Sequence, residues 1–455
     1  MSPANNLERL TANLEGIDQS SCARARLAKL FDEGTFVEID AFAMASGDAN
    51  SVVTGYGAID GSMVFAFSQD SASSSGAVDK THADKIKKVY NLAVKTGAPV
   101  VGVYDSNGAS LANPADALAA YGELFALSNN LSGVVPQVSV VVGPCVGSAA
   151  LIALGADFVV ITDAGEISLT PSAESVCSAK TGVSHIAVKD EDEAIAKARK
   201  LLSLLPANNL ADAPVWDFAE TAGAKAALAA AGETLGGAAD VVKNIADDGS
   251  VIELSEKFGG ESFTALATVG GQVVGFAGAF GALDSDACAK LGRFVSILDS
   301  YSVPVVTLVN TEGFAAGSVS ARDAAMLAHV YAEATTAKVS LVLGKAYSGA
   351  YIALAGKGSG ADLAYAWPGA AISALKPETA VAFLYSDRIT ADKKREDVEA
   401  EYIANEASPF AFAANGQLDG VIDPSLTREA VISALDMLSG KRVATLPKKH
   451  GNIPM

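Results

Sequence analysis

The sequence predicts an α/β protein of two tandem units made by internal duplication, and three observations predict it. The chain has 455 residues, more than one ordinary core accommodates, so two domains are expected. Half of its residues are apolar, 19% are charged and only 7% are aromatic, with 42 glycines. That composition suits thick buried layers with close helix–sheet packing, not a disordered chain. Third, one series of segments occurs twice in the same order.

Taken in chain order, a helical preamble is expected over roughly 1–34. The glycine-turn hairpin VTGYGAIDGSMVFAFSQD (53–70) has a partner in FTALATVGGQVVGFAGAF (263–280). Each is followed by a segment of helical period, KTHADKIKKVYNLAVKTG and DACAKLGRFVSILDSYS. TGAPVVGVYDSNGA (96–109) then matches YSVPVVTLVNTEGF (301–314), each a proline, an apolar strand and a polar exit ending near glycine. VSVVVG (138–143) matches VSLVLG (339–344), GAD (155–157) matches GAD (360–362), and ISLTP (167–171) matches ISALKP (372–377). Strands alternating with helices argue for layered α/β units. The expected division is a first domain over 1–217, an Ala/Gly-rich linker with some helical content over 218–240, and a second domain over 241–455. The tail 427–442 has helical spacing, and residues 443–455 read as extended.

A formal net charge of −19 disfavours nucleic acid and anionic membrane surfaces as partners. Cys22, Cys145, Cys177 and Cys288 form no CxxC, and His82, His185, His329 and His450 are scattered, so neither a metal site nor a disulfide framework is expected. The amino terminus carries early charges and no apolar run, which is not the pattern of a signal peptide, and a cytoplasmic location is expected. The uncharged stretch Val134–Ala156 is long enough to suggest a membrane helix. Pro136, Gly143, Pro144, Gly147 and Ser148 interrupt it, and its counterpart contains Lys345, so a buried strand, a turn and a buried helix account for it better.

The common unit is therefore a β-branched strand, small residues and a helix: Gly143 to Ala149 in one copy, Gly344 to Ala350 in the other. Small residues let a ligand approach the main chain, and the first amides of a helix lack intrahelical partners. Such a turn can hold a phosphate or an oxyanion developing during reaction; it also suits plain helix–sheet packing. Neither copy is a GxxxxGK[ST] or GxGxxG loop, and no base is marked for Cys145, which reads as a buried filler.

These residues resemble a known family. CARARLAKLFDEGTFVEID (22–40), VVTGYGAIDG, SGVVPQVSVVVGPCVGSA and AKTGVSHIAVKDEDEA in the first half, with AEATTAKVSLVLGKAYSGAY, AYAWPGAAIS and KKHGNIPM in the second, are similar to the carboxyltransferase subunits of biotin-dependent acyl-CoA carboxylases and decarboxylases, of the propionyl-CoA carboxylase beta and methylmalonyl-CoA decarboxylase alpha type. The resemblance runs over nearly the whole chain. It implies two crotonase-like domains, with acyl-CoA bound by the first and biotin by the second at a contact between subunits of a hexamer, a trimer of dimers. It implies biotin on a separate carrier protein, and biotin carboxylase or membrane decarboxylase subunits as further partners. It also implies carboxyl transfer to or from a short acyl-CoA: propionyl/methylmalonyl first, acetyl/malonyl or glutaconyl next. By motif match, main-chain amides of Gly147 and Ser148 would face the thioester oxygen, and those of Gly349 and Ala350 the biotin oxygen. Asn107, Gly108, Ala109, Gly313, Phe314, Tyr351 and Ile352 would line the substrates. The same chemistry runs in both directions, which the partner chains decide.

Departures from the family pattern bear on this. Asp-Ser-Gly-Gly-Ala-Arg is here Asp105 to Ser110, with Asn107 and Ser110 in place of Gly and Arg. Pro-Gly-Phe is Glu312-Gly313-Phe314, a following Pro-Gly is Ala316-Gly317, and Ser148 replaces a second glycine. These motivate an alternative, a scaffold or acyl-CoA-binding subunit with weakened activity. A biotin-free hydratase or isomerase would need a carboxylate base in one of the turns, and neither has one.

Overall fold

The structure is a computed structural model that describes residues 3–15, 17, 20–43, 51–170, 180–317, 319–354, 356–444, 446–448 and 450–454. Pro171, which closes the ISLTP match, and Cys177 lie outside the described residues. The chain divides into two compact units, Met1–Asp212 and Ala213–Met455.

The first unit contains α1 (Pro3–Glu15), α2 (Cys22–Leu30), β1 (Val37–Ile39), β2 (Val52–Ile59), β3 (Ser62–Gln69), α3 (Lys80–Thr96), β4 (Val100–Ser106), α4 (Pro114–Leu131), β5 (Gln137–Val146), α5 (Ser148–Leu154), β6 (Phe158–Thr162), β7 (Glu166–Ser168), β8 (Ile186–Val188) and α6 (Glu191–Leu204). Its sheet runs β1-β2-β3-β4-β5-β6-β8, with β7 added at the end of β5. β1, β2 and β3 are antiparallel and the rest parallel. Buried parallel strands need apolar side chains on both faces, which is why VSVVV has no polar alternation.

The second unit contains α7 (Ala224–Glu233), α8 (Ala238–Ile245), β9 (Ile252–Glu253), β10 (Ser262–Val269), β11 (Gln272–Leu283), α9 (Ser285–Ser300), β12 (Val305–Phe314), α10 (Ala321–Glu333), β13 (Lys338–Tyr347), α11 (Ser348–Ala353), β14 (Leu363–Ala366), β15 (Ala371–Ser373), α12 (Pro377–Leu384), α13 (Arg395–Asn405), α14 (Pro409–Ala414), β16 (Gly420–Val421) and α15 (Thr427–Leu438). Its sheet repeats the first, β9-β10-β11-β12-β13-β14-β16, with β15 on β13. Both sheets break register at a matching place, between Tyr104 and Ser106 and between Val309 and Thr311, and the second also shifts between Phe280 and Ala282. The uncharged stretch Val134–Ala156 is mostly β5, a turn and α5, as its interrupting residues imply. Among the described residues no helix is long and apolar enough to cross a membrane.

Polar residues fix the repeated elements. Asp79 caps α3 by accepting from the His82 amide, and Asp284 caps α9 by accepting from the Ala287 amide, both at 2.8 Å. The GAD aspartates pin the strand starts: Asp157 accepts from the Gln137 amide at 2.9 Å, and Asp362 from the Lys338 amide at 2.8 Å. The stretch 218–240 holds α7 and the start of α8. Leu228, Val241, Val242 and Ile245 are buried in the core of the second unit, because an alanine-rich helix with one apolar stripe gains more by packing than by staying solvated.

A second duplication was not visible in the sequence. Arg199 of α6 donates to the Leu30 carbonyl and to Asp32, and Asp32 accepts from the amides of Asp60 and Gly61 at the β2–β3 turn. Arg428 of α15 donates to the Ile245 carbonyl and to Asp247, and Asp247 accepts from the amides of Gly270 and Gly271 at the β10–β11 turn. Each arginine thus ties the last helix of its unit to an early helix and to the first hairpin.

The core of the first unit contains a neutral histidine. His82 is buried, with Nδ1 2.8 Å from the Ser51 hydroxyl and Nε2 3.1 Å from the Gln69 amide group. Burial, with the nearby Lys85 ammonium, pushes its pKa down to about 3. A folded pKa below the unfolded value near 6.5 means that the unfolded chain binds the extra proton as pH falls through that window. Stability is therefore full above about pH 6.5 and declines by about 1.4 kcal/mol per pH unit below it. Thermal melts from pH 7 to 4 should show this slope, and His82→Gln, which starts from lower stability, should lack most of it.

Candidate active site

Both turns sit where the sheet breaks register, at the carboxyl ends of parallel strands. In the first, Gly147 (φ 67°, ψ −124°) leads from β5 into α5. Glycine alone adopts that combination at low cost. In the second, Ser348 (φ 58°) occupies the same place between β13 and α11. The sheets set this equivalence: Cys145 pairs with Ile167 and Ala346 with Ile372, so Val146 matches Tyr347, Gly147 matches Ser348, and Ser148 matches Gly349.

The strand beside each turn repeats as well. Ser106 donates to the Gly76 carbonyl at 2.6 Å and accepts from the Gly108 amide at 3.1 Å. Thr311 donates to the Gly281 carbonyl at 2.5 Å and accepts from the Gly313 amide at 3.1 Å. Gly108 (φ 100°) and Gly313 (φ 114°) need the left-handed region, and both abut the turn. A Cβ on Gly108 would stand 3.3 Å from the Val146 carbonyl oxygen, and one on Gly313 3.1 Å from the Ser348 hydroxyl. Ser110 donates to Val78, whose own amide donates to Gly108, and Ala315 likewise donates to Leu283, which pairs with Phe314. In such a parallel ladder the amides of Ala109 and Phe314 point the other way, towards the turns.

Asp105 and Asn310 support the turns from beneath. A Cβ on Gly143 would lie 2.3 Å from an Asp105 carboxylate oxygen, and one on Gly344 2.5 Å from the Asn310 amide oxygen. Both positions are therefore glycine. Arg26 (7% exposed) holds Asp105 at 3.0 Å, the Gln69 carbonyl at 2.8 Å and Glu191 at 2.7 Å.

The structure sorts the expected site residues. The Gly147 amide donates to the Ser168 carbonyl at 2.7 Å, so it is not open to a ligand. That corrects the expectation for Gly147: the β5–β7 ladder extends one residue beyond the strand and consumes it. Ser148 and Ala149 then carry the first-turn amides that lack an intrahelical acceptor, since the Ala150 amide returns to the Gly147 carbonyl. Neither turn has a side-chain cap. Gly349 is exposed, Ala350 is buried, and the Phe314 ring edge lies 3.8 Å from where a Gly349 Cβ would stand. Asn107 is exposed and donates to the Ser75 carbonyl, which straps its loop down. Ile352 is exposed on α11. Tyr351 instead lays its ring against Gly356. Glu312 is paired with Lys345 at 2.5 Å and Lys376 at 3.0 Å, whose hydrogen bonds hold its carboxyl below the usual range. With Asn310 and Lys345 it lines a cavity of about 520 Å3 that neither Ser348 nor Gly349 borders. Sequence reasoning missed Gly76, Gly281, Ser106, Thr311, Ala149 and Ser348; matching the two turns residue by residue, instead of glycine to glycine, would have found the last two.

Paired crotonase-like units, each with a small-residue turn against a glycine strap, define a tandem carboxyltransferase fold. The chain belongs to the carboxyl transferase domain family, whose model matches residues 19–174 and 171–453. It is 36% identical to the methylmalonyl-CoA decarboxylase subunit alpha of Veillonella parvula, over 95% of this chain and 93% of that one. It is also 36% identical to the propionyl-CoA carboxylase beta chain of Saccharopolyspora erythraea, over 95% and 90%. The crystal structure of transcarboxylase 12S, a hexamer assembly described with methylmalonyl-coenzyme A and methylmalonic acid bound, matches with a TM-score of 0.92 at 31% identity, covering 100% of both chains.

Proposed function

We propose that this chain is a carboxyltransferase subunit that moves a carboxyl group between biotin, borne by a separate carrier protein, and a short acyl-CoA, propionyl/methylmalonyl-CoA first. The observation that carries the reading is the repeated set of main-chain amides: Ser148 and Ala109 in the first unit, Gly349 and Phe314 in the second. The relatives are named for methylmalonyl-CoA and propionyl-CoA chemistry, and the matching 12S structure is a hexamer; a hexamer is the assembly we assign to this chain too.

The second turn fits a neutral cyclic urea. Tyr347–Ala350 bring no charged side chain, their amides lack a side-chain cap, and Phe314 edges the opening. Biotin, when bound, supplies a ring nitrogen that carries the carboxyl group. This chain's part is electrostatic and positional. Gly349, Ala350 and Phe314 offer amides to the ring oxygen, while Ser148, Ala149 and Ala109 offer amides to the thioester oxygen as negative charge grows on it. Fixed donors of this kind are worth about 3 kcal/mol each in a transition state, because they need no reorganisation when charge develops. The glycine straps at Gly108 and Gly313 keep side chains out of the path.

The test is direct. Purified protein is incubated with methylmalonyl-CoA carrying a labelled carboxyl group and either free biotin or a biotinylated carrier, and label transfer is followed. Transfer is expected, strongest for methylmalonyl-CoA; a folded protein that moves no label from any short acyl-CoA would end the reading.

A further inference from the structure

We propose that the Ser348 hydroxyl is a binding and catalytic group of the second turn, donating a hydrogen bond to the ring oxygen of the biotin partner; this rests on the carboxyltransferase reading above. Ser348 holds a φ of 58°, in the region that L-residues seldom enter. Its equivalent in the first turn is Gly147, at φ 67°. Glycine would meet the same backbone demand without strain, so serine at this position needs a reason beyond the turn itself. Strain of this sort persists where surrounding structure and function demand it.

The position of the hydroxyl supplies that reason. Its oxygen lies over the main chain of Gly313, 3.1 Å from where a Cβ would stand, next to Phe314 and the exposed Gly349. Ser348 is half-buried at the mouth of the turn, and no group among the described residues engages its hydroxyl. A hydroxyl carries one donor, and this one stands beside Gly313, with Phe314 and the exposed Gly349 next in the chain to Gly313 and Ser348. Ser148 is not its counterpart: it matches Gly349, one residue further on, and its φ is not positive. At the position that Gly147 fills in the first turn, the second therefore carries a side-chain hydroxyl, suited to a urea oxygen, which has two lone pairs and gains charge during transfer.

The experiment compares the full chain with Ser348→Ala and Ser348→Gly in three measurements: calorimetric affinity for free biotin, kcat/KM for free biotin in transfer from methylmalonyl-CoA, and melting temperature. Both variants are expected to bind biotin about 5- to 10-fold more weakly and to lose at least about 10-fold in kcat/KM for biotin, with KM for the CoA substrate unchanged. Ser348→Gly should melt higher than Ser348→Ala, because it relieves the strain that alanine retains. Biotin affinity and turnover equal to wild type in Ser348→Gly would overturn the proposal while leaving the carboxyltransferase reading intact. A wild-type chain that neither binds biotin nor transfers label would overturn both.

Discussion

Gly349→Val should reduce carboxyl transfer by at least about 100-fold in kcat while the protein melts within a few degrees of wild type. Residue 349 is exposed in the first turn of α11 and its φ is not positive, so the backbone accepts a side chain. The first added atom meets only the Phe314 ring edge, at an ordinary 3.8 Å. Valine costs an exposed helix position only a few tenths of a kcal/mol to about 1 kcal/mol. Its methyl groups, however, occupy the space before the Gly349 and Phe314 amides. Removing one preorganised donor from an oxyanion site costs about 100- to 1,000-fold in kcat, and blocking access removes more than one. Steady-state kinetics with free biotin, paired with calorimetric melting, checks this. A loss of rate also rejects the scaffold alternative, since a subunit without chemistry has no rate to lose. Full activity in Gly349→Val would mean that the second turn is not where the reaction's charge develops.

Arg428→Ala should destabilise the second unit by about 3–5 kcal/mol, a large share of the 5–15 kcal/mol typical of a domain. The Arg428 and Asp247 side chains are 5% and 4% exposed, and the ion pair spans 2.5 Å. Deleting the arginine leaves a buried carboxylate without its counter-ion and frees the Ile245 carbonyl that the same guanidinium satisfies. Burial alone would raise the Asp247 pKa, but hydrogen bonds from Arg428, Thr268, Gly271 and Gly270 outweigh it and hold it low. A depressed folded pKa contributes stability above the unfolded value, which is lost as pH falls through the folded one. Arg428→Ala should therefore shift the acid unfolding limb to higher pH. The matched control is Arg199→Ala, whose arginine and Asp32 partner are 26% and 29% exposed; solvent screening limits its cost to about 1 kcal/mol. Urea melts of both variants decide the matter, and equal losses would refute the burial argument.

The contrast between these two clamps shows where sequence reading ran out. The strands of both units were legible because a buried parallel strand writes itself as a β-branched run, and the GAD copies because one aspartate performs one local task at each strand start. The clamps were not, since Arg199 lies in AKARKLL and Arg428 in LTREAV, segments without likeness whose side chains find equivalent partners only after folding. The stretch 218–240 read as a linker because alanine and glycine say nothing about what Leu228 will meet. At the site, pairing glycine with glycine placed Gly147 against Gly349, whereas the β7 and β15 registers set Gly147 against Ser348.

The sequence by itself determined the duplication, the family, the strand–turn–helix units and the small residues of both turns, because these follow from local periodicity and from the absence of side chains. Only the tertiary structure decided which amides remain available. A main-chain N–H is the same group at every residue, and whether it is spent on a strand, as at Gly147, or begins a helix without an intrahelical acceptor, as at Ser148, depends on which strand folds alongside it.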